Sequence, residues 1–183
     1  MFNSLFDGAP VDIMQMLDAR ERRAHTQQQL LEQLNPCVLV SITLNIPGPV
    51  KNSEAITTVF ASVISELDEA LVPFEKLHQE DFSLPTGMEF YRVLRADALS
   101  VKRACTKFEE GHSLGRLLDI DVVEMAGETP TPISRTALGM PPRRCFICNE
   151  EAKVCARSRK HTILEMQEHI ARVVAEYTSM KRP

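Results

Sequence analysis

The chain has 183 residues, 44% of them hydrophobic and 25% charged, with a formal net charge of -4. That length suits one domain with a sizeable core, and the slight acidity excludes a chain built as a whole around nucleic acid. No apolar run approaches the ~20 residues of a membrane span, and Met1 to Pro10 lacks the basic start and apolar centre of a secretion signal, so a cytoplasmic protein is expected.

Val11 to Leu34 reads as an amphipathic helix with Met14, Leu17, Ala24, Leu31 and Leu34 on its apolar side and Arg20-Glu21-Arg22-Arg23 on a solvated face. Pro36 ends it. Val38 to Ile46 is rich in β-branched residues and reads as a buried strand. The Pro47-Gly48-Pro49 turn leads past Lys51, read as a surface lysine, to a helix capped by Asn52 or Ser53. Ile56, Val59, Phe60, Val63, Ile64, Leu67 and Leu71 then follow helical spacing until Pro73. Asp81 to Gly87 reads as a loop and Met88 to Leu94 as a strand. A short helix is expected around Asp97 to Lys102, then a strand over Ala104 to Glu110 with Glu109 a solvated residue at its end. Residues 126–142 form a long loop holding Arg135. From Glu150 to Tyr177 the chain is helical, with Ile163, Met166, Ile170, Val173, Val174 and Tyr177 as the buried stripe. Irregularly alternating strands and helices predict a mixed α/β (α+β) single domain over residues 1–183.

The stretch Gly115-Arg116-Leu117-Leu118-Asp119-Ile120-Asp121-Val122 reads as a strand entered through a glycine turn. Side chains alternate along a strand, so Leu118, Ile120 and Val122 face one way and Asp119 and Asp121 the other, ~7 Å apart at a rise of about 3.3 Å per residue. Two carboxylates that close repel unless a cation lies between them. Mg2+ accepts such a pair and keeps positions for substrate phosphates. A solvated strand face is the other reading, and D-x-D alone does not choose between them.

Five cysteines is an odd number, and three of them fall between Cys145 and Cys155. With His161 they give C-x2-C-x6-C-x5-H, a Cys3His combination seen in structural zinc sites. On a continuous helix the three thiols would instead fall near 0°, 300° and 280°, with His161 near 160°, at about 100° per residue. Three small apolar thiols on one helix face are therefore the alternative. The same segment carries Arg135, Arg143, Arg144, Lys153, Arg157, Arg159 and Lys160 against Glu150 and Glu151. Guanidinium forks match phosphate oxygens bidentately. No G-x-S-x-G, G-x-x-x-x-G-K-[ST], G-x-G-x-x-G or H-E-x-x-H motif is present, which removes the simplest hydrolase, P-loop, dinucleotide-binding and zinc-protease readings.

Taken together, Asn45-Ile46-Pro47-Gly48-Pro49-Val50-Lys51, His112 to Val122, Ile133-Ser134-Arg135, Arg143-Arg144-Cys145 with Cys148, and Cys155-Ala156-Arg157 with His161 resemble the holo-citrate lyase synthase (CitX) family. The likeness runs from about Val38 to about Met166. It implies transfer of a phosphoribosyl-dephospho-CoA group from triphosphoribosyl-dephospho-CoA to a serine of the apo acyl carrier (γ) subunit of citrate lyase, with diphosphate leaving. On that basis Asp119 and Asp121 are expected to be catalytic and to hold Mg2+. Gly115, Arg116, Arg135, Arg143, Arg144, Arg157 and His161 are expected to meet the donor, and Cys145, Cys148, Cys155 and His161 are the zinc candidates. A nucleotidyltransferase-like mixed sheet flanked by helices, with a long C-terminal helix, goes with this reading. The alternatives are modification of another carrier, of the malonate decarboxylase type, and a non-catalytic zinc-knuckle adaptor.

Overall fold

The structure is a computed structural model and describes residues 5–148 and 150–181. Its centre is a five-stranded sheet in the order β2-β3-β1-β4-β5, formed by β1 (Val38–Leu44), β2 (Glu75–Leu84), β3 (Gly87–Arg95), β4 (Leu118–Ala126) and β5 (Thr129–Pro132). Each pairing is antiparallel.

One face of the sheet is covered by α2 (Glu54–Leu71), α3 (Ala98–Gly111) and α5 (Ile163–Met180). Ser53 caps α2 by accepting from the Ile56 N–H (3.1 Å), and Thr162 and Glu165 form a capping box on α5. The stripe Ile56, Phe60, Val63, Ile64, Leu67 and Leu71 is buried against Val40, Ile42, Ile120 and Val122. Each such side chain contributes about 1.5–3 kcal/mol by leaving water.

The opposite face carries α1 (Ile13–Gln33), packed through Leu30 and Leu31 on Leu39, Tyr91, Val93 and Val123. The expected stripe of α1 is used only at its C-terminal end: Met14, Leu17 and Ala24 are exposed, while Ala19 and Leu30 are buried alongside Leu31. Nor is Arg20 to Arg23 wholly a solvated face. Arg22 and Arg23 reach the buried carboxylate of Glu89 at 2.8 and 3.2 Å, and Tyr91 donates to the same group. Lys51 is half-buried rather than a surface lysine, and its Nζ donates to the Ile46 carbonyl (2.7 Å).

Four segments differ from expectation. Residues 126–142 are not one long loop, since Thr129–Pro132 forms β5 against β4 and Arg135–Leu138 makes a 3-10 turn, and the helix expected from Glu150 to Tyr177 is broken into Ala152–Ser158 and Ile163–Met180. The other two lie earlier in the chain. Asp81 to Leu84 is strand, not loop, and β2 pairs with β3 along its whole length through a hairpin ending at Gly87, where φ is 122°. Its polar run Glu75-Lys76-Leu77-His78-Gln79-Glu80-Asp81 hides a strand that β3 dictates, and a charged edge strand resists pairing with other chains. Ala104 to Glu110 is helix, not strand, so no hairpin joins it to β4. Asp97 caps α3 through the Ser100 N–H, and Ala98, Val101, Lys102, Cys105, Thr106 and Glu109 form its buried face. Three of those six residues are polar, which broke the apolar pattern in the sequence.

One of the polar residues of α3, Lys102, has a backbone reason. β5 pairs with β4 only from Val123 to Ala126, which leaves Leu118 to Val122 as an open edge. Buried carbonyls need partners. Lys102 Nζ donates to the Ile120 carbonyl (3.0 Å), Arg143 to that of Leu118 (2.6 Å), and the Ile133 N–H to that of Val122 (2.7 Å). Among the described residues no helix is long and apolar enough to cross a membrane.

Candidate active site

The acids stand as the alternation predicts. Leu118, Ile120 and Val122 are buried under α2, α3 and α5, while Asp119 and Asp121 project from the other face. Across the sheet Asp119 lies in the row of Thr43 and Glu89, and Asp121 in the row of Ser41 and Tyr91. Asp121 is open to solvent on one side, yet burial by its surroundings first, and the Asp119 charge second, hold its carboxyl above the ordinary aspartate value. Such a pair gains from a cation.

Arg143 joins this strand to the helix behind it. Its guanidinium donates to Asp119 (3.1 Å), to the Leu118 carbonyl and to Glu109. Glu109 is a buried helical residue rather than a solvated strand end. Burial raises its carboxyl, and Arg143, then Lys102 and Arg135, pull it back only in part.

Beside Arg143 opens a cavity of about 550 Å³ lined by Asn45, Arg116, Arg143, Arg144, Arg159 and His161, with Phe146, Ile163 and Met166 as apolar wall. Burial first, and the Arg143 charge second, lower the Arg116 guanidinium, and its Nε has no hydrogen-bond partner among the described residues. Four guanidiniums sharing one wall create a field that a polyanion relieves. A second hollow of about 840 Å³ lies between the start of α1 and the Gly48 to Lys51 turn, and shares Ile163 with the first.

The wall of the first cavity carries the thiols. Cys145, Cys148, Cys155 and His161 bring their ligand atoms within 4.8 Å of one another. Cys148 and Cys155 sulphurs are 4.0 Å apart, and His161 Nε2 is 3.3 Å from Cys148 Sγ. The helix-face alternative fails, because α4 (Ala152–Ser158) contains only Cys155. Cys145 sits instead in a tight turn closed by the Arg144–Glu151 bridge and by Cys145 N–H donating to the Glu150 carbonyl (2.8 Å). Arg159, left-handed at φ 48°, turns the chain after α4 and brings His161 back.

The expected donor-binding residues therefore separate. Arg116, Arg143, Arg144 and His161 share the cavity. Arg135 instead pairs with Glu110, although its charge acts on Glu109 and Arg116. Arg157 is exposed on α4 and is not part of the lining. Gly115 is buried against α3: a Cβ there would meet the Glu109 carbonyl oxygen at 2.6 Å and its Cα at 2.8 Å, so close packing requires the glycine. Arg159, Asn45 and Glu109 are the residues that the expected set lacked. Arg159 was visible only as one more charge in a basic run.

An antiparallel sheet with helices on both faces, a paired-acid strand, and a cavity walled by arginines and a thiol–imidazole cluster define a mixed α/β protein with a strongly cationic cavity. The chain belongs to the CitX family, described as apo-citrate lyase phosphoribosyl-dephospho-CoA transferase, whose model matches residues 11–177. It is 39% identical over 175 residues to a probable apo-citrate lyase phosphoribosyl-dephospho-CoA transferase of Streptococcus pyogenes serotype M18, covering 96% of this chain and 91% of the relative. A relative of the same name from Vibrio cholerae serotype O1 is 33% identical over 171 residues, covering 92% and 94% of the two chains. Protein CitXG of Leuconostoc mesenteroides is 33% identical over 175 residues, which make up 95% of this chain and 37% of that longer protein.

Proposed function

We propose that this protein is a cytoplasmic enzyme that transfers the phosphoribosyl-dephospho-CoA group from triphosphoribosyl-dephospho-CoA to a serine of the apo acyl carrier subunit of citrate lyase. The observation that carries the reading is the convergence of Arg116, Arg143, Arg144 and Arg159 on one cavity, with Arg143 reaching Asp119 on the paired-acid strand.

In this reading the arginines hold the triphosphate and offset the charge that builds on the departing diphosphate. The serine Oγ attacks the α-phosphorus. A new P–O bond forms, the anhydride P–O bond to the β-phosphate breaks, and diphosphate leaves with the bonding electrons. Asp121, whose raised value makes it a better base than an ordinary aspartate, takes the serine proton. Asp119 and Asp121 are suited to a hard divalent ion: they are two carboxylates on one strand face whose mutual repulsion Lys102 and Arg143 offset only in part. Mg2+ bound there would supply Lewis-acid polarisation of the phosphoryl oxygens. Arg143, now on Asp119, would be free to hold phosphate if a cation took its place on that carboxylate. The apolar hollow beyond Ile163, edged by the exposed Ile13, Met14 and Leu17, suits the long arm of the donor.

The test is the intact mass of apo carrier protein after incubation with enzyme, Mg2+ and donor. One added prosthetic group is expected on the citrate lyase carrier. Asp121→Asn should lower the rate by roughly 10²–10⁴-fold while leaving the circular dichroism spectrum and Tm unchanged. Full activity in that variant removes Asp121 from the chemistry. Modification of a malonate decarboxylase-type carrier in preference reassigns the acceptor.

A further inference from the structure

We propose that Cys145, Cys148, Cys155 and His161 bind one zinc ion in a closed tetrahedral site, and that this ion braces the arginine wall of the cavity. Bonds of about 2.3 Å from a tetrahedral zinc to sulphur put two sulphurs about 3.8 Å apart. The Cys148–Cys155 separation is 4.0 Å, Cys148 lies 3.3 Å from His161 Nε2, and the whole set falls within 4.8 Å. Among the described residues this is the one group of three or more ligating side chains so gathered.

The sulphurs are also dressed as metal ligands. The Ile147 N–H points at Cys145 Sγ (3.4 Å), as backbone donors do when a C-x2-C turn presents thiolates. Thiols packed simply as small hydrophobes would be fully buried, as Cys105 is, yet of these three only Cys155 is. A Cys148–Cys155 disulfide would leave Cys145 and His161 gathered for no purpose.

The stability of the segment supplies a second argument. Between Arg143 and His161, Cys155 is the only residue with its side chain in the buried class among those described. The helix there, Ala152–Ser158, has seven residues. A helix so short does not persist in water unaided, and a piece of chain without a core of its own needs a staple. A metal held by three thiolates and an imidazole is such a staple, and that soft ligand set with four protein donors selects zinc in a structural role with no open position.

The bracing follows from chain connectivity. Arg143 and Arg144 immediately precede Cys145, and Arg159 lies between Cys155 and His161. All three line the cavity with three of the four ligands. That the cavity takes a polyphosphate rests on the proposed function; the metal site does not.

The full-length protein, purified under reducing conditions without chelator, should contain one zinc per chain by elemental analysis. Exchange for Co2+ should give the intense visible absorption of tetrahedral thiolate-bound cobalt at one equivalent. Cys148→Ser should lose that spectrum, whereas Cys37→Ser should keep it. Because the cobalt titration is done on the unaltered chain, misfolding of a variant does not shield the proposal. A chain that takes up no stoichiometric zinc and shows no tetrahedral cobalt spectrum overturns it, as does a Cys148–Cys155 disulfide in the protein as purified. Binding of inorganic tripolyphosphate, measured by calorimetry, should weaken by about tenfold or more on zinc removal and recover on its return. Unchanged binding overturns the brace. Failure of carrier modification with the cobalt spectrum intact counts against the transferase reading alone.

Discussion

Asp121 is where residue-scale physics makes the sharpest demand. As a proton acceptor it must be ionised, and burial together with the Asp119 charge holds it above the ordinary carboxylate value. In the metal-free chain the Asp121 carboxyl should therefore titrate above a free aspartate, at about 3.9, and Mg2+ held by the pair should bring it down. Asp119→Asn removes one of the two causes, so in that metal-free variant the titration should move to lower pH. Carboxyl NMR of both proteins with and without Mg2+ checks this, and an Asp121 titration that Mg2+ leaves unmoved removes the ion from this pair. Gly115 gives a structural counterpart. A methyl at this position meets the Glu109 backbone inside contact distance, so Gly115→Ala should cost roughly 1–3 kcal/mol of stability by thermal unfolding. The alternation that exposes Asp119 and Asp121 was legible in the sequence, because it follows from the strand period alone. The burial of Glu109 was not: a lone glutamate near a glycine turn looks solvated until the partner that neutralises it, Arg143, arrives from 34 residues away.

At the scale of elements, the open half of β4 is held by side chains where a neighbouring strand would be. Arg143 is the most heavily committed of these, pairing with Glu109 and with Asp119 and closing the Leu118 carbonyl. Arg143→Met leaves Glu109 buried without its principal counter-charge. Breaking a buried pair costs 3–5 kcal/mol, and the partial exposure of Arg143 brings the expectation to about 3 kcal/mol. The double variant Arg143→Met, Glu109→Gln should recover part of that loss, and a double-mutant cycle in urea measures it. Helix α3 also ends in a pH-sensitive contact. His112 stacks on Phe108 and reaches Glu66 at 3.3 Å, but burial, outweighing Glu66, lowers its value. The unfolded chain then takes up the proton first. The contribution of His112 is present above about pH 6.5 and is lost as pH falls through its lowered value. His112→Gln should flatten the fall of Tm over that range.

At the scale of the molecule, the arginines differ by position and not by chemistry. Arg116 lines the cavity and Arg157 does not. Arg116→Ala should raise the KM for the donor by roughly tenfold, the worth of one charge-assisted hydrogen bond. Arg157→Ala should leave it within about twofold, as surface charges contribute little. Steady-state kinetics on apo carrier protein separates the two, and equal effects would mean that the cavity is not where the phosphates lie. What the sequence by itself determined is local: the Ser53 cap and apolar stripe of α2, the inner positions Ile170, Val174 and Tyr177 of α5 (though not Ile163, which is exposed), the strand pair of acids and the C-x2-C turn. These depend on the fixed periods of helix and strand and on bonds between near neighbours in the chain. Only the tertiary structure decided that Glu75 to Leu84 is a strand, that α3 runs unbroken to Gly111, that Cys155 and His161 join Cys145 and Cys148, and which arginines share a wall. Each of those depends on a partner distant in sequence, whether a sheet edge seeking a neighbour, a carbonyl seeking a donor or a charge seeking its opposite, and spacing along the chain carries no record of that partner.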